Sequence, residues 1–136
     1  MELHKPANYC IIDTAPSLAL AKKTLSDWGV DDVEFYTPED FIAPSTIHLV
    51  VSPFVFTESP REWQKHYLKR VVSHAECGYL DCRFPLRHFG LKVWSKEQIL
   101  RKLASLDKEC RVLEEQPLTD IDRCSISFVS TRESMN

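Results

Sequence analysis

Short apolar runs alternate with amphipathic helical stripes along nearly the whole chain, and this alternation constrains the fold more than any single motif. Asn8 to Asp13 (NYCIID) is an apolar run ending in an acid, which predicts a buried strand. Behind it Leu18, Ala21, Leu25 and Trp28 recur every three or four residues, with Lys22, Lys23, Ser26 and Asp27 off the stripe. Thr14 is placed to cap this helix, Pro16 suits its first turn and Gly29 stops it. Val33 to Tyr36 predicts the next strand, closed by Thr37-Pro38-Glu39-Asp40, and Ile47 to Ser52 (IHLVVS) a third. Ser59-Pro60-Arg61-Glu62 has the form of a capping box with proline at the first helical position. Trp63, Tyr67 and Val71 would share the buried face of the helix it starts.

Cys77 to Cys82 (CGYLDC) predicts a fourth strand. Ser95 to Gln98 is a second capping box, with Trp94 placed to staple onto Ile99, and Leu103 and Leu106 continue that stripe. Cys110 to Glu115, a turn containing Pro117, and Cys124 to Ser130 close the chain. Cys124, Ile126 and Phe128 alternate with Ser125 and Ser127, the pattern of a half-buried hairpin strand. Strands alternating with helices imply a mostly parallel, Rossmann-like sheet with helices on both faces and a C-terminal antiparallel strand pair. The expectation is one α/β domain over 1–136, with its core in 7–130 and a polar tail at 131–136.

Composition narrows the function classes. Hydrophobic residues make 43% and charged residues 27% of the 136, which excludes a disordered chain. The net charge of −3, from 17 Lys and Arg against 20 Asp and Glu, argues against nucleic-acid binding by phosphate neutralisation. No run approaches the roughly 20 apolar residues of a membrane span. The start, Met-Glu-Leu-His-Lys-Pro, has no apolar signal region, and five cysteines form an odd set, so a reducing cytoplasmic setting is expected. Three scattered glycines, Gly29, Gly78 and Gly90, cannot build a glycine-rich phosphate or dinucleotide loop.

The pattern resembles class I S-adenosylmethionine-dependent methyltransferases from their second strand onward, and more narrowly the bacterial sugar O-methyltransferases. The resemblance rests on Tyr9-Cys-Ile-Ile-Asp13 with Pro16-Ser-Leu-Ala-Leu-Ala21, then Ile47-His-Leu-Val-Val-Ser52, the Phe56-Thr-Glu58 turn and the Tyr67-bearing helix. It spans roughly residues 8 to 130. It implies S-adenosylmethionine as cofactor, bound beyond the carboxyl ends of the strands. Asp13, with Thr14 beside it, would take the two ribose hydroxyls; a carboxylate suits a vicinal diol because its two oxygens accept both donors at once. Asp40 would sit near the adenine amine, Ser52 would line the pocket floor, and Glu58 and the Arg83 to His88 loop would face a sugar acceptor.

The family's first strand and its glycine-rich loop have no counterpart here, so the chain reads as truncated relative to the full fold. In the family that strand lies between the second and the fourth, and its loss opens sheet edges with unpaired backbone groups. A homo-oligomer, or a partner chain covering the open edge, is therefore expected. A non-catalytic α/β interaction module is the alternative function, and a degenerate receiver domain a further one, motivated by Ile11-Ile-Asp13 and Pro16-Ser.

Each candidate residue also has a plain structural role. Asp13 suits a helix entry, Glu39 and Asp40 suit a turn after Pro38, and Glu58 suits the residue before a capped helix. His88 is the general-base candidate, since imidazole titrates near neutral pH and sugar hydroxyls lose a proton on methylation. His66 and His74 are expected at the surface. No metal is expected: Cys77 and Cys82 are five apart in a strand and so point to opposite faces, and no CxxC pair exists. Arg83, Arg87 and Lys92 among aromatics could stack on single-stranded nucleic acid, but three charges in an acidic chain favour packing.

Overall fold

The computed structural model describes residues 8–84, 92–114 and 123–132. It divides into two compact units, Met1–Ile42 and Ala43–Asn136. The first unit holds strand β1 (Cys10–Ile12), helix α1 (Ala15–Asp27) and strand β2 (Glu34–Tyr36). β1 and β2 pair in parallel, with Ile11 opposite Phe35. Helix α1 begins after Thr14 in extended conformation, but the Thr14 hydroxyl donates to Ser17 Oγ (3.1 Å) and makes no cap bond. Gly29 ends the helix at φ +71°, the left-handed conformation that glycine adopts at least cost. Leu18 is the buried residue of α1, while Trp28 is 75% exposed, so the predicted stripe stops short of it.

The second unit runs β3 (Ile47–Pro53), α2 (Val55–Glu58), α3 (Arg61–Arg70), a 3-10 turn (Val72–His74), β4 (Ala75–Arg83), α4 (Lys96–Ser105), β5 (Lys108–Glu114) and β6 (Arg123–Ser130). Its four strands lie in the order β3-β4-β6-β5. β3 and β4 are parallel, whereas β6 pairs antiparallel with both β4 and β5. The architecture is α/β with a mixed sheet rather than a mostly parallel one. No helix among the described residues is long and apolar enough to cross a membrane.

Two helix starts differ in outcome. Ser95 caps α4 as expected: Gln98 N–H donates to Ser95 Oγ (3.2 Å) and Ser95 N–H to Gln98 Oε1 (2.9 Å). The box at Ser59 does not form. Pro60 is itself the residue before α3, and the Ser59 hydroxyl donates back to the Val55 carbonyl (2.5 Å), closing the short helix α2 where the sequence reads as a turn. α3 buries Gln64 and Leu68, and Val71 just beyond it is buried as expected, whereas Tyr67 is only partly buried against the core and Trp63 is half-buried.

The core of this unit lies between α2, α3, α4 and one face of the sheet, with Leu80, Cys82, Ile126 and Phe128 facing Leu68, Trp94, Ile99 and Leu103. Cys124, Ile126 and Phe128 are buried in the predicted alternation. The opposite face is different. Leu49 (60% exposed), Val51 (61%), Tyr79 and Val129 are register neighbours there and stay open to solvent. Among the described residues, the helices of this unit cover one face of the sheet and not both.

Candidate functional site

In the first unit, parallel pairing brings the carboxyl ends of β1 and β2 to one edge. Asp13 N–H donates to the Tyr36 carbonyl (3.2 Å), so the acid that ends β1 stands beside the turn that leaves β2. Thr14 N–H donates to Asp13 Oδ1 (2.7 Å) and fixes the carboxylate at the helix entry. A carboxylate has about four acceptor positions, and this bond uses one. The turn after β2 is held by Thr37: its hydroxyl donates to Asp40 Oδ2 (2.8 Å), and Asp40 and Phe41 N–H groups both return to its carbonyl (3.1 Å each). Phe41 is buried edge-on against Tyr36, ring centroids 5.5 Å apart. Asp13, Thr14 and Asp40 therefore lie at one end of the ribbon, and Asp13 and Asp40 both serve local turn chemistry.

In the second unit, Ser52 lies near the carboxyl end of β3, opposite Leu80. Its Oγ accepts from the Phe56 N–H (3.3 Å), which commits one lone pair to the start of α2. Glu58 ends α2 and is exposed, its N–H donating to the Phe54 carbonyl (3.0 Å). His88 and the loop up to it from residue 85 lie outside the described residues. His74 is exposed, and the His66 ring packs edge-on to Trp63 (5.5 Å) and Tyr67 (6.3 Å). No group of three or more His, Cys, Asp or Glu among the described residues could hold a metal ion.

Two features at this end were not legible in the sequence. Phe54 adopts φ +59°, a strained conformation for an aromatic residue, between β3 and α2. Its N–H donates to the Asp81 carbonyl (2.9 Å), and the Arg123 guanidinium sits 4.6 Å over its ring. A depression of about 360 Å³ opens nearby at the carboxyl ends of β4 and β5, lined by Tyr79, Asp81, Glu114, Arg123 and Ser125. Tyr79 Oη and Ser125 Oγ share a hydrogen bond of 2.5 Å across it. Nothing at Phe54 marks it out in a one-letter code, because strain there arises from contacts to β4 and β6.

The fold is similar to that of solved structures that include S-adenosylmethionine-dependent methyltransferases. Three solved structures illustrate it. The YcgJ protein from Bacillus subtilis superposes with a TM-score of 0.70 at 8% identity, over 93% of this chain and 83% of that one. The N-terminal domain of EvdMO1, solved in the presence of S-adenosylhomocysteine and D-fucose, gives 0.67 at 14% identity, over 96% and 69%. The mitomycin 7-O-methyltransferase MmcR gives 0.65 at 12% identity, over 91% and 42%. The chain thus spans less than half the length of MmcR. No protein-family model matches the sequence. No curated protein matches it.

Proposed function

We propose that this chain is part of an S-adenosylmethionine-dependent O-methyltransferase, holds the ribose and adenine of the cofactor, and acts on a sugar hydroxyl. The observation that carries the reading is the Asp13 carboxylate at the carboxyl end of β1, beside the Thr37–Phe41 turn and with acceptor positions to spare. The neighbours add support, since one was solved with S-adenosylhomocysteine and a sugar. When bound, the cofactor supplies an electrophilic methyl group on sulfur. The chain's own residues would hold the ribose diol (Asp13, with Thr14), approach the adenine (Asp40), floor the pocket (Ser52) and take the acceptor's proton. His88 is the base in this reading and Glu58 faces the acceptor. A cytoplasmic setting belongs to the same reading.

A glycine-rich turn is still required for the methionine end of the cofactor. We assign it to a further strand that pairs with the edge of β3 left free among the described residues, running parallel to it as β4 does. Such a strand would satisfy the open backbone groups of β3 and begin to cover Leu49 and Val51. The test of the ribose assignment is a nuclear magnetic resonance titration of the backbone amides of residues 13, 14 and 37–41. Adenosine should shift them and saturate, and 2′-deoxyadenosine should bind several-fold more weakly. Equal affinity for both would overturn the role of Asp13.

A further inference from the structure

The groove between α3 and α4 lies on the helical side of the second unit, and its lining includes none of the residues assigned to the cofactor. It is a shallow, open depression of about 300 Å³, and its lining carries three lysines, Lys65, Lys69 and Lys102, and no acid. In a chain of net charge −3 that is a local reversal of sign. The floor is apolar, formed by Leu68, Trp94 and Leu106. Lys102 Nζ stands 5.4 Å over the Trp94 ring, so this exposed charge lies over the apolar floor. Lys65 is paired with Glu62 at 3.2 Å.

Lysines near helix C-termini are expected, because each terminus carries about half a negative charge. Lys69 and Lys102 sit in the last turns of α3 and α4, and Lys65 adds a third charge one turn earlier. Three cations against two half-charges and one paired Glu62 leave a positive balance facing the groove. The two hydroxyls at its rim are oriented: Ser73 Oγ donates to the Lys69 carbonyl and Ser105 Oγ to the Lys102 carbonyl, 2.6 Å each. Their oxygens are left as acceptors for ligand hydroxyls.

We propose that this groove binds a small amphipathic anion, a phosphate or carboxylate carried on an apolar or ring-shaped body. The anion is held by Lys69 and Lys102, and the apolar part rests on Leu106 and the exposed edge of the otherwise buried Trp94. The volume, at the lower end of small-molecule sites, suits one ring system and its charged group and is too small for a docked protein segment.

The probe is 1-naphthyl phosphate, titrated into the full chain and followed by calorimetry, with 1-naphthol as the uncharged control. The expected result is saturable binding that the double variant K69A/K102A weakens by about tenfold, with 1-naphthol binding the parent chain about tenfold more weakly than the phosphate does. Both lysines are exposed, so circular dichroism should report an unchanged fold. Rising salt should weaken the phosphate ligand and leave naphthol untouched. Absent saturation, equal binding by K69A/K102A, or equal binding of phosphate and naphthol would each overturn the proposal.

Discussion

Gly78 and Phe128 face each other across the β4–β6 pair, and a Cβ on Gly78 would overlap Cζ and Cε1 of the Phe128 ring. The ring lies flat over the glycine and fills the space a side chain would need, which places Phe128 among the most buried residues of the core. Gly78→Ala should cost about 1–3 kcal/mol or more in chemical denaturation, because neither strand backbone can retreat. Phe128→Leu in the Gly78→Ala background should recover part of that loss, a coupling that a double-mutant cycle measures. Additive losses would show that the two residues do not meet.

Gln64 is fully buried and ties three segments together. Its Nε2 donates to the Phe56 carbonyl (3.0 Å), and its Oε1 accepts from the Trp94 N–H (2.8 Å). Gln64→Leu keeps the volume and strands both groups, at about 1–3 kcal/mol for each one left unpaired. An unfolding midpoint unchanged from the parent would refute the bridge.

Stability should fall as pH rises above 9. Burial pushes the Cys82 thiol up from 9.0 to about 12, with the neighbouring Cys124 and Asp81 adding to it. Between those values the unfolded chain loses a proton that the folded chain keeps, so each pH unit favours unfolding by up to about 1.4 kcal/mol for this one thiol. Cys110 and Cys124 are raised in the same direction by burial. Lys108 opposes them: burial lowers its pKa, so loss of its proton relieves a cost as pH approaches 10.5. Cys82→Ala should flatten the alkaline slope measured by urea denaturation, and Lys108→Met should steepen it.

The first unit should open more readily than the second. A two-stranded parallel ribbon with one helix buries little beyond Leu18, Pro38 and Phe41, whereas the second unit holds a continuous core. Hydrogen exchange should be fastest in β1 and β2 and slowest in β4 and β6. Comparable protection in both units would contradict this.

The free edge of β3 and the exposed Leu49 and Val51 should drive self-association when no further strand is present. Light scattering should report a mass above that of one chain, and Leu49→Lys with Val51→Lys should return it to the monomer. A parent chain that stays monomeric at high concentration would remove the need for an added strand at β3.

Much of this fold is legible in the sequence, and its failures have physical causes. Period-two alternation reports one-sided burial, so β6 reads correctly from Cys124, Ile126 and Phe128. The box at Ser95 reads correctly because its bonds are local. Ser59 fails because its hydroxyl finds the Val55 carbonyl first, and α3 then turns Gln64 inward to bonds that no periodicity encodes. Parallel runs such as Ile47 to Ser52 read as buried on both faces, yet β3 is an edge strand with its outer face open. Asp13 and Asp40 are legible as acids after strands; the bond from Asp13 N–H to the Tyr36 carbonyl that joins the two strand ends is tertiary.

The central claim is that Asp13 receives the cofactor's ribose, and isothermal titration with S-adenosylhomocysteine tests it most directly on the parent chain and on Asp13→Ala. The predicted result is saturable binding by the parent and a loss of about tenfold or more in the variant. No binding by a chain that circular dichroism shows to be folded, or equal binding by Asp13→Ala, would contradict it.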